Sequence, residues 1–447
     1  MLFTEEVAYL QMRSVRRLRS KETLLFLVPN DWSKNPRLSR ELHALKKTNL
    51  RIVIISTRLF YLTRSGASIS SAPSLSGVDR HLTVYSVPLI VTPLASARLM
   101  ALSKLAFAML HCLTAALFVF WLLLLSLAVC VSRNVRVIHA HNSPDLTGLV
   151  SYMISKIKGT PYVYEVHDLV PEMYAEMMNL SLKSLPIRML HMIEHIALSN
   201  SMKTIFVSKS MRDYVLMKHK LEASKCVVIY SSWDLSFIKS LGGRRDSTYS
   251  HSLDEFMILY VGSLEAKIRG LEDLVQATRI LLDIHPHDKV KLVFVGEGPM
   301  RPYLTHLAKE CGMSDSVIFA GALPREEAWQ WLEASDIAVI PFRRFCSTEI
   351  AAPNKLFEYM AAGKAVVVSD LIGMREIIRN GYNGVTYRQG DPADLAEEIS
   401  MLMEAKSSDR LYSLGSNARK DFLNLYRWER QEPKLLAMYD DLLSGRH

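Results

Sequence analysis

The sequence predicts an α/β protein made of two doubly wound parallel-sheet domains. Three observations point there. Short apolar runs of strand length alternate with helical stretches along most of the chain. The alternation breaks once, at LGGRRDSTYSHS (241–252), which has no apolar period, and then restarts. The chain has 447 residues, 49% hydrophobic and 22% charged, which is enough to bury two or three cores.

The first domain is expected over residues 20–240. Its strands are LLFLV (24–28), RIVIIST (51–57), HLTVYSVPL (81–89), VRVIHAH (135–141), TPYVYEVHD (160–168), KTIFVS (203–208) and KCVVIYS (225–231). RLSRELHALKK (37–47) reads as the first helix. The second domain, 253–425, repeats the pattern more cleanly. FMILYVGSL (256–264), KLVFVGEG (291–298), SVIFAGAL (316–323), DIAVIPF (336–342) and AVVVSD (365–370) are strands, separated by helices at 271–284, 300–312, 325–334 and 353–362. A helical stretch over about 408–442 follows, and 426–447 is expected to return to the first domain. In sheets of this kind ligands sit outside the carboxyl ends of the strands, so a cleft between facing domains is the expected site.

Composition narrows the chemistry. Lysine and arginine number 54 against 45 acidic residues, a net charge of +9 that favours anionic partners. No aromatic-interleaved basic patch marks nucleic-acid binding. The five cysteines, Cys112, Cys130, Cys226, Cys311 and Cys346, are scattered and form no CxxC pair. A disulfide framework or zinc site is not expected, and a reducing cytoplasmic setting fits. No cleavable signal peptide is expected ahead of the short run at 24–28, which follows the basic stretch RSVRRLRSK.

Residues 105–131, LAFAMLHCLTAALFVFWLLLLSLAVCV, form a run of 27 without formal charge. Its length suits a membrane span. Strand-like runs on both sides, if they share a sheet, must lie on one side of a membrane, and a hairpin would have arms too short to cross. Arg98 and Lys104 precede the run and Arg133 and Arg136 follow it, so flanking charge selects no orientation. The expectation is a helix lying in or dipping into one leaflet, with a single span and an apolar core helix as the other readings.

Four stretches carry candidate chemistry. In EIAAPNKLFEYMAAGKAVVVSD (349–370), Pro353 suits a helix start, and the first-turn amides around Asn354, Lys355 and Leu356 would face an anion. Lys355 adds a charged donor, and Glu358, one turn on, can accept from sugar hydroxyls. In VGSLEAKIRGLEDLVQA (261–277), Gly262 turns after a strand while Lys267 and Arg269 stand at a loop mouth before a helix, a pattern suited to a pyrophosphate. In VFVGEGP (293–299), Gly296 and Gly298 allow close backbone approach, with Glu297 between them. It is not GxGxxG, so a dinucleotide site is weakly supported. In YEVHDLVPEMY (164–174), His167 and Asp168 follow a strand end, where histidine can donate to developing charge or act as a base. Each stretch also has a bland reading: a charged surface helix, a solvated basic loop, a plain turn, a backbone-satisfied histidine. His139 and His141 stand two apart with no third ligand apparent, and DIHPHD (283–288) reads as a solvated turn. No DxD triplet offers itself to hold a metal against a phosphate.

Together these stretches resemble glycosyltransferase family 4, of the GT-B type with two Rossmann-like domains. KNPRLSRELHALKK is similar to the family's first helix, and YEVHD to the strand end carrying its active-site histidine. VGSLEAKIRG resembles its phosphate loop, and APNKLFEYMAAGKAVVVSD its donor-binding helix. YRWERQEPKLLAMYDDLL resembles the returning C-terminal segment. Two departures stand out. Ser263 occupies a position where the family has arginine, and Arg269, with Lys267 the alternative, takes the place of its lysine. Glu349 and Glu358 are separated by eight residues rather than the family's seven, and Ile350 holds the strict position.

The resemblance implies a retaining, metal-independent sugar transfer from a nucleotide-diphosphate sugar, with no cofactor. Gly262, Ser263, Lys267, Arg269, Gly296, Glu297, Asn354, Lys355, Leu356 and Glu358 would bind the donor. His167, Asp168, Glu349 and Glu358 would serve the chemistry. With the apolar helix, it implies a lipid-linked or oligosaccharide acceptor, a role in polysaccharide or glycan synthesis, and work at the cytoplasmic face of a membrane. A nucleotide-sugar 2-epimerase and a catalytically silent subunit of a membrane glycosylation complex are the alternative readings.

Overall fold

A computed structural model of the chain describes residues 22–29, 35–48, 50–63, 66–69, 82–91, 104–142, 146–241, 255–265, 267–407 and 409–445. RSVRRLRSK and all but the first residue of the 241–252 stretch lie outside them. The chain divides into two compact units. One comprises Met1–Val207, Val215–Ile229 and Glu432–His447, the other Ser208–Tyr214 and Tyr230–Gln431.

The first unit carries an eight-stranded sheet. Strands β1 (Thr23–Val28), β2 (Arg51–Thr63), β3 (Gly66–Ile69), β4 (Leu82–Val91), β5 (Val135–His141), β6 (Tyr162–Val166), β7 (Lys203–Phe206) and β8 (Cys226–Val228) are arranged β3-β2-β1-β5-β6-β7-β8, with β4 beside β2. All pairings are parallel except β2 with β3. Every residue of β1 is buried, as a strand covered on both faces requires. The first helix spans Pro36–Lys46, one residue ahead of the 37–47 reading at each end: Asn35 accepts from the amides of Arg37 and Leu38, and Pro36 opens the turn.

The long apolar segment is one continuous helix, Lys104–Arg133, of 30 residues, about 45 Å long at the helical rise. It connects β4 to β5, two strands of the same sheet. Phe118, Leu122, Val129 and Cys130 are buried, whereas Leu117, Phe120, Trp121, Leu124 and Val131 are exposed. Ala116–Arg133 is long and apolar enough to cross a membrane, and about a quarter of it is buried in the protein.

The second unit carries a six-stranded sheet, with all its recorded pairings parallel. Its strands are β9 (Glu255–Val261), β10 (Lys289–Val295), β11 (Val317–Gly321), β12 (Ile337–Ile340), β13 (Ala365–Ser369) and β14 (Val385–Tyr387), in the order β11-β10-β9-β12-β13-β14. The chain builds outward from β9 on one side and then returns to build on the other. That reversal makes the carboxyl ends of β9 and β12 the topological switch point, where such sheets bind ligands. The short strands β3 and β14 went unread in the sequence.

Phe294 anchors the core of this unit. It is fully buried, with ring centroids 5.2 Å from Phe319 and 6.1 Å from Tyr260. Phe294→Ala is expected to destabilise the protein by about 3–5 kcal/mol, read by chemical denaturation, while Leu425→Ala on the surface stays within about 0.5 kcal/mol of the parent.

Candidate active site

The strand ends of the second sheet are built from glycine. Gly262 after β9 and Gly296 after β10 have φ of +144° and +146°. Gly262 N–H donates to Val295 O, and Gly296 N–H to Gly321 O, each at 2.8 Å. A Cβ on Gly296 would sit 1.9 Å from Gly262 O, and one on Gly262 2.3 Å from Lys355 Nζ. Only glycine lets these backbones lie against each other and against that ammonium.

Lys355 comes from the helix Asn354–Ala361, which follows Pro353 and ends before Gly363 at φ +73°. Tyr359 on this helix is buried, and its Oη accepts from Val261 N–H at 2.8 Å. That bond ties the helix to the end of β9 and fixes where Lys355 points. Lys355 Nζ lies 4.0 Å from the Tyr260 ring centroid and 5.7 Å from that of Phe342, within reach of cation–π attraction. Arg269 shares Phe342, with its guanidinium carbon 4.9 Å from the ring centroid. Burial, and then the positive charge of Arg269, hold the Lys355 amine well below the usual lysine range, with Glu358 opposing. Among the described residues Lys355 forms no ion pair, and Arg269 Nε, which is buried, has no hydrogen-bond partner. Arg343 differs: Asp273 binds it twice, at 2.8 and 2.5 Å. The loop carrying Arg269 is pinned by Gly270, where a Cβ would fall 1.8 Å from Pro341 O, and by Arg343 N–H donating to Ile268 O at 3.0 Å.

Glu358 lies on the same helix and borders a cavity of about 220 Å³. Val261, Leu323, Arg325, Trp329, Trp233 and Phe237 also line it, with the Arg325 guanidinium stacked 4.1 Å above Trp233. Trp233, Phe237, Arg325 and Trp329 did not stand out in the sequence, because isolated aromatic and basic residues in or beside helices read as ordinary core and surface.

The other predicted residues fall at varied distances from this centre. The carbonyl of Ser263 accepts from Tyr260 Oη at 3.1 Å. Lys267 opens the short turn Lys267–Arg269. Glu297 pairs with Arg301, and its carbonyl accepts from Leu264 N–H at 2.9 Å. Asn354 is exposed at the helix start. Leu356 corrects one expectation: its amide donates to Pro353 O at 3.0 Å and its side chain is fully buried. Proline stands just before the helix, at the N-cap, so its carbonyl folds back over the first turn. Glu349 sits in a separate short helix, Cys346–Glu349, where Arg344 Nε is 2.6 Å from its carboxylate and Ile372 N–H donates to it at 3.4 Å.

In the first unit, His167 and Asp168 follow β6. Asn142, just after β5, clamps their turn: its Oδ1 accepts from His167 N–H at 2.8 Å, and its Nδ2 donates to Asp168 O at 2.7 Å. The His167 ring stacks on His141, with centroids 5.2 Å apart, and its Nε2 is 3.0 Å from His141 Nδ1. Behind it lies a buried polar cluster. His139 Nε2 is 3.0 Å from Glu165, and Nδ1 is 2.6 Å from Tyr439 Oη. Arg37 bridges Glu41 at 2.7 Å and Glu165 at 2.8 Å. The sequence showed no third partner for His139 and His141, but the fold adds Glu41 and Glu165, bringing four potential ligand atoms within 4.8 Å of one another with Arg37 among them. The usable signal was polar residues two apart on strands otherwise apolar: 139 and 141 on β5, 165 and 167 on and after β6.

Comparison with known sequences gives two matches in chain order. The family described as Glycosyltransferase Family 4 matches residues 89–237, and that described as Glycosyl transferases group 1 matches 255–405. An uncharacterized glycosyltransferase of Methanocaldococcus jannaschii is 28% identical over 338 residues, 74% of this chain and 81% of its own. A D-inositol 3-phosphate glycosyltransferase of Catenulispora acidiphila is 24% identical over 320 residues, 69% of this chain and 73% of its own. Among solved structures, sucrose-phosphate synthase from Thermosynechococcus elongatus superposes with a TM-score of 0.68 at 18% identity, covering 95% of this chain and 100% of that one. Anabaena HepE in complex with UDP-glucose superposes with a TM-score of 0.61 at 18% identity, covering 95% and 99%. The two parallel-sheet units thus have the GT-B fold, and the chain belongs to glycosyltransferase family 4 and is a sugar-transferring enzyme.

Proposed function

We propose that the enzyme moves a sugar from a nucleotide-diphosphate sugar to a lipid-linked saccharide at the cytoplasmic face of a membrane, in polysaccharide or glycan synthesis. The observation that carries the donor is the cation pair Lys355 and Arg269 at the switch point of the second sheet. A largely buried ammonium beside a guanidinium is unfavourable alone and favourable around a diphosphate. Negative charge develops on that diphosphate as the glycosidic bond breaks, so the pair would act most strongly in the transition state. Glu358 would accept from the ribose hydroxyls, and the cavity beside it offers Trp233, Phe237 and Trp329 for a planar base. Complexes of HepE, of like fold, with UDP and with UDP-glucose agree with this donor class. His167 would donate to the transferred sugar or its phosphate. Retention of configuration and independence from metal follow from the family resemblance and the missing DxD triplet.

The membrane reading rests on the Lys104–Arg133 helix. A soluble domain rarely displays Leu117, Phe120, Trp121, Leu124 and Val131 along one helix. Their spacing repeats every three or four residues, so they form one stripe, while Phe118, Leu122 and Val129 attach the helix to its own domain. A helix whose ends join two strands of one sheet, with one apolar stripe exposed, suits contact with one leaflet better than a crossing.

Detergent-solubilised protein should release nucleoside diphosphate from one class among UDP-, GDP- and ADP-sugars only when a membrane lipid extract is present. Glu358→Ala should lower that rate about 10–100-fold, the worth of a charge-assisted hydrogen bond. Release without lipid, or at full rate in Glu358→Ala, would count against the assignment. Separately, the triple change Phe120→Glu, Trp121→Lys, Leu124→Glu should leave the fold intact and move the protein from floating liposomes to the soluble fraction. Continued flotation would show that another surface holds the membrane.

A further inference from the structure

The buried cluster behind His167 holds a charge imbalance that its geometry resolves. Its charged and titratable members are Arg37 and Glu41 from the first helix, His139 and His141 from β5, Glu165 from β6, His167 with Asp168 beyond it, and Tyr439 from the C-terminal helix. Two carboxylates share one guanidinium. Glu165 is the better compensated, with Arg37 Nη2 at 2.8 Å and His139 Nε2 at 3.0 Å. Tyr439 O–H donating to His139 Nδ1 leaves the Nε2–H of that ring for Glu165. Glu41 has only Arg37 Nε, at 2.7 Å. A second buried negative charge without its own cation is costly, so Glu41 is the carboxyl that keeps a proton.

Glu41 Oε2 and His141 Nε2 face each other at 3.5 Å, both buried, and neither has a hydrogen-bond partner among the described residues. They are complementary when Glu41 carries the hydrogen and His141 Nε2 accepts it. His141 then bears its own hydrogen on Nδ1, which donates to His167 Nε2 at 3.0 Å. The hydrogen of His167 is left on Nδ1, although its Nε2 also lies 3.5 Å from Glu165 Oε1, which has no hydrogen-bond partner among the described residues. His167 is 21% exposed, whereas His139 and His141 are at most 1% exposed. Burial and the nearby Glu165 charge push Glu41 well above the carboxylate range, and burial holds His141 well below the usual histidine value. Both directions agree with a chain of neutral groups.

We propose that neutral Glu41 and His141 form a hydrogen-bond chain that fixes His167 as its Nδ1–H tautomer, with that N–H turned to the substrate. Glu41 and His141 are then positioning residues. The proposal rests on His167 as the substrate-facing group, but its test needs no turnover.

The full chain in detergent, labelled with ¹⁵N-histidine, reports the tautomer by NMR, with His167 assigned from the signal lost in His167→Gln. The expected signal is a protonated Nδ1 and an unprotonated Nε2. Glu41→Gln, whose amide still donates to His141, should keep it and keep near-parental transfer activity. Glu41→Met, of similar size without a donor, should replace it with the averaged signal of exchanging tautomers. A protonated Nε2 in the parent, or an unchanged His167 signal in folded Glu41→Met, would overturn the proposal. If Glu41→Met does not fold, the parent tautomer and the Glu41→Gln signal decide alone. Failure of the donor assignment would leave these signals where they are.

Discussion

Lys355 is an amine whose charge both burial and a neighbouring guanidinium oppose, and several residues of the second domain hold it there. Tyr359 fastens its helix to β9, Gly262 leaves room for its ammonium, and Gly296 lets the next strand end close beneath. Tyr260 and Phe342 supply aromatic faces in place of a carboxylate. A structural lysine would be expected to end on an acid or in water. This one ends at a sheet's switch point near Arg269, an arrangement that an anion would complement.

The two domains treat charge in opposite ways. In the second, Lys355 forms no ion pair among the described residues and Arg269 Nε has no hydrogen-bond partner, whereas Arg343 is held by Asp273. In the first, Arg37 is shared by Glu41 and Glu165 inside the protein, with His139 and His141 beside them.

Much of the fold was legible because its physics is local. Strands buried on both faces must be apolar throughout, and LLFLV and AVVVS are. One helix start was marked by Pro353, although Pro353 proved to lie just outside its helix and took the Leu356 amide with it. Gly262 and Gly296 were readable because they follow strand ends, and Arg269 and Lys355 because they are basic residues next to helix starts. What was not readable depends on residues far apart in sequence. Trp233 and Arg325 join Glu358 around one cavity only through the fold. Glu41, Glu165 and Tyr439 reach His139 and His141 from three different elements. Glu349 carried the same uncertainty: its spacing from Glu358 could not say that a separate turn and Arg344 would hold it.

The most direct test of the cation pair is calorimetric titration with UDP, GDP and ADP near neutral pH, in two buffers of different ionisation enthalpy. Since the lysine is depressed in the free protein, a bound diphosphate should favour its ammonium form. The account predicts binding of one nucleotide with net proton uptake, weakening as pH rises, and loss of that uptake in Lys355→Met. Binding of equal strength in Lys355→Met, with no proton uptake in either protein, would contradict it.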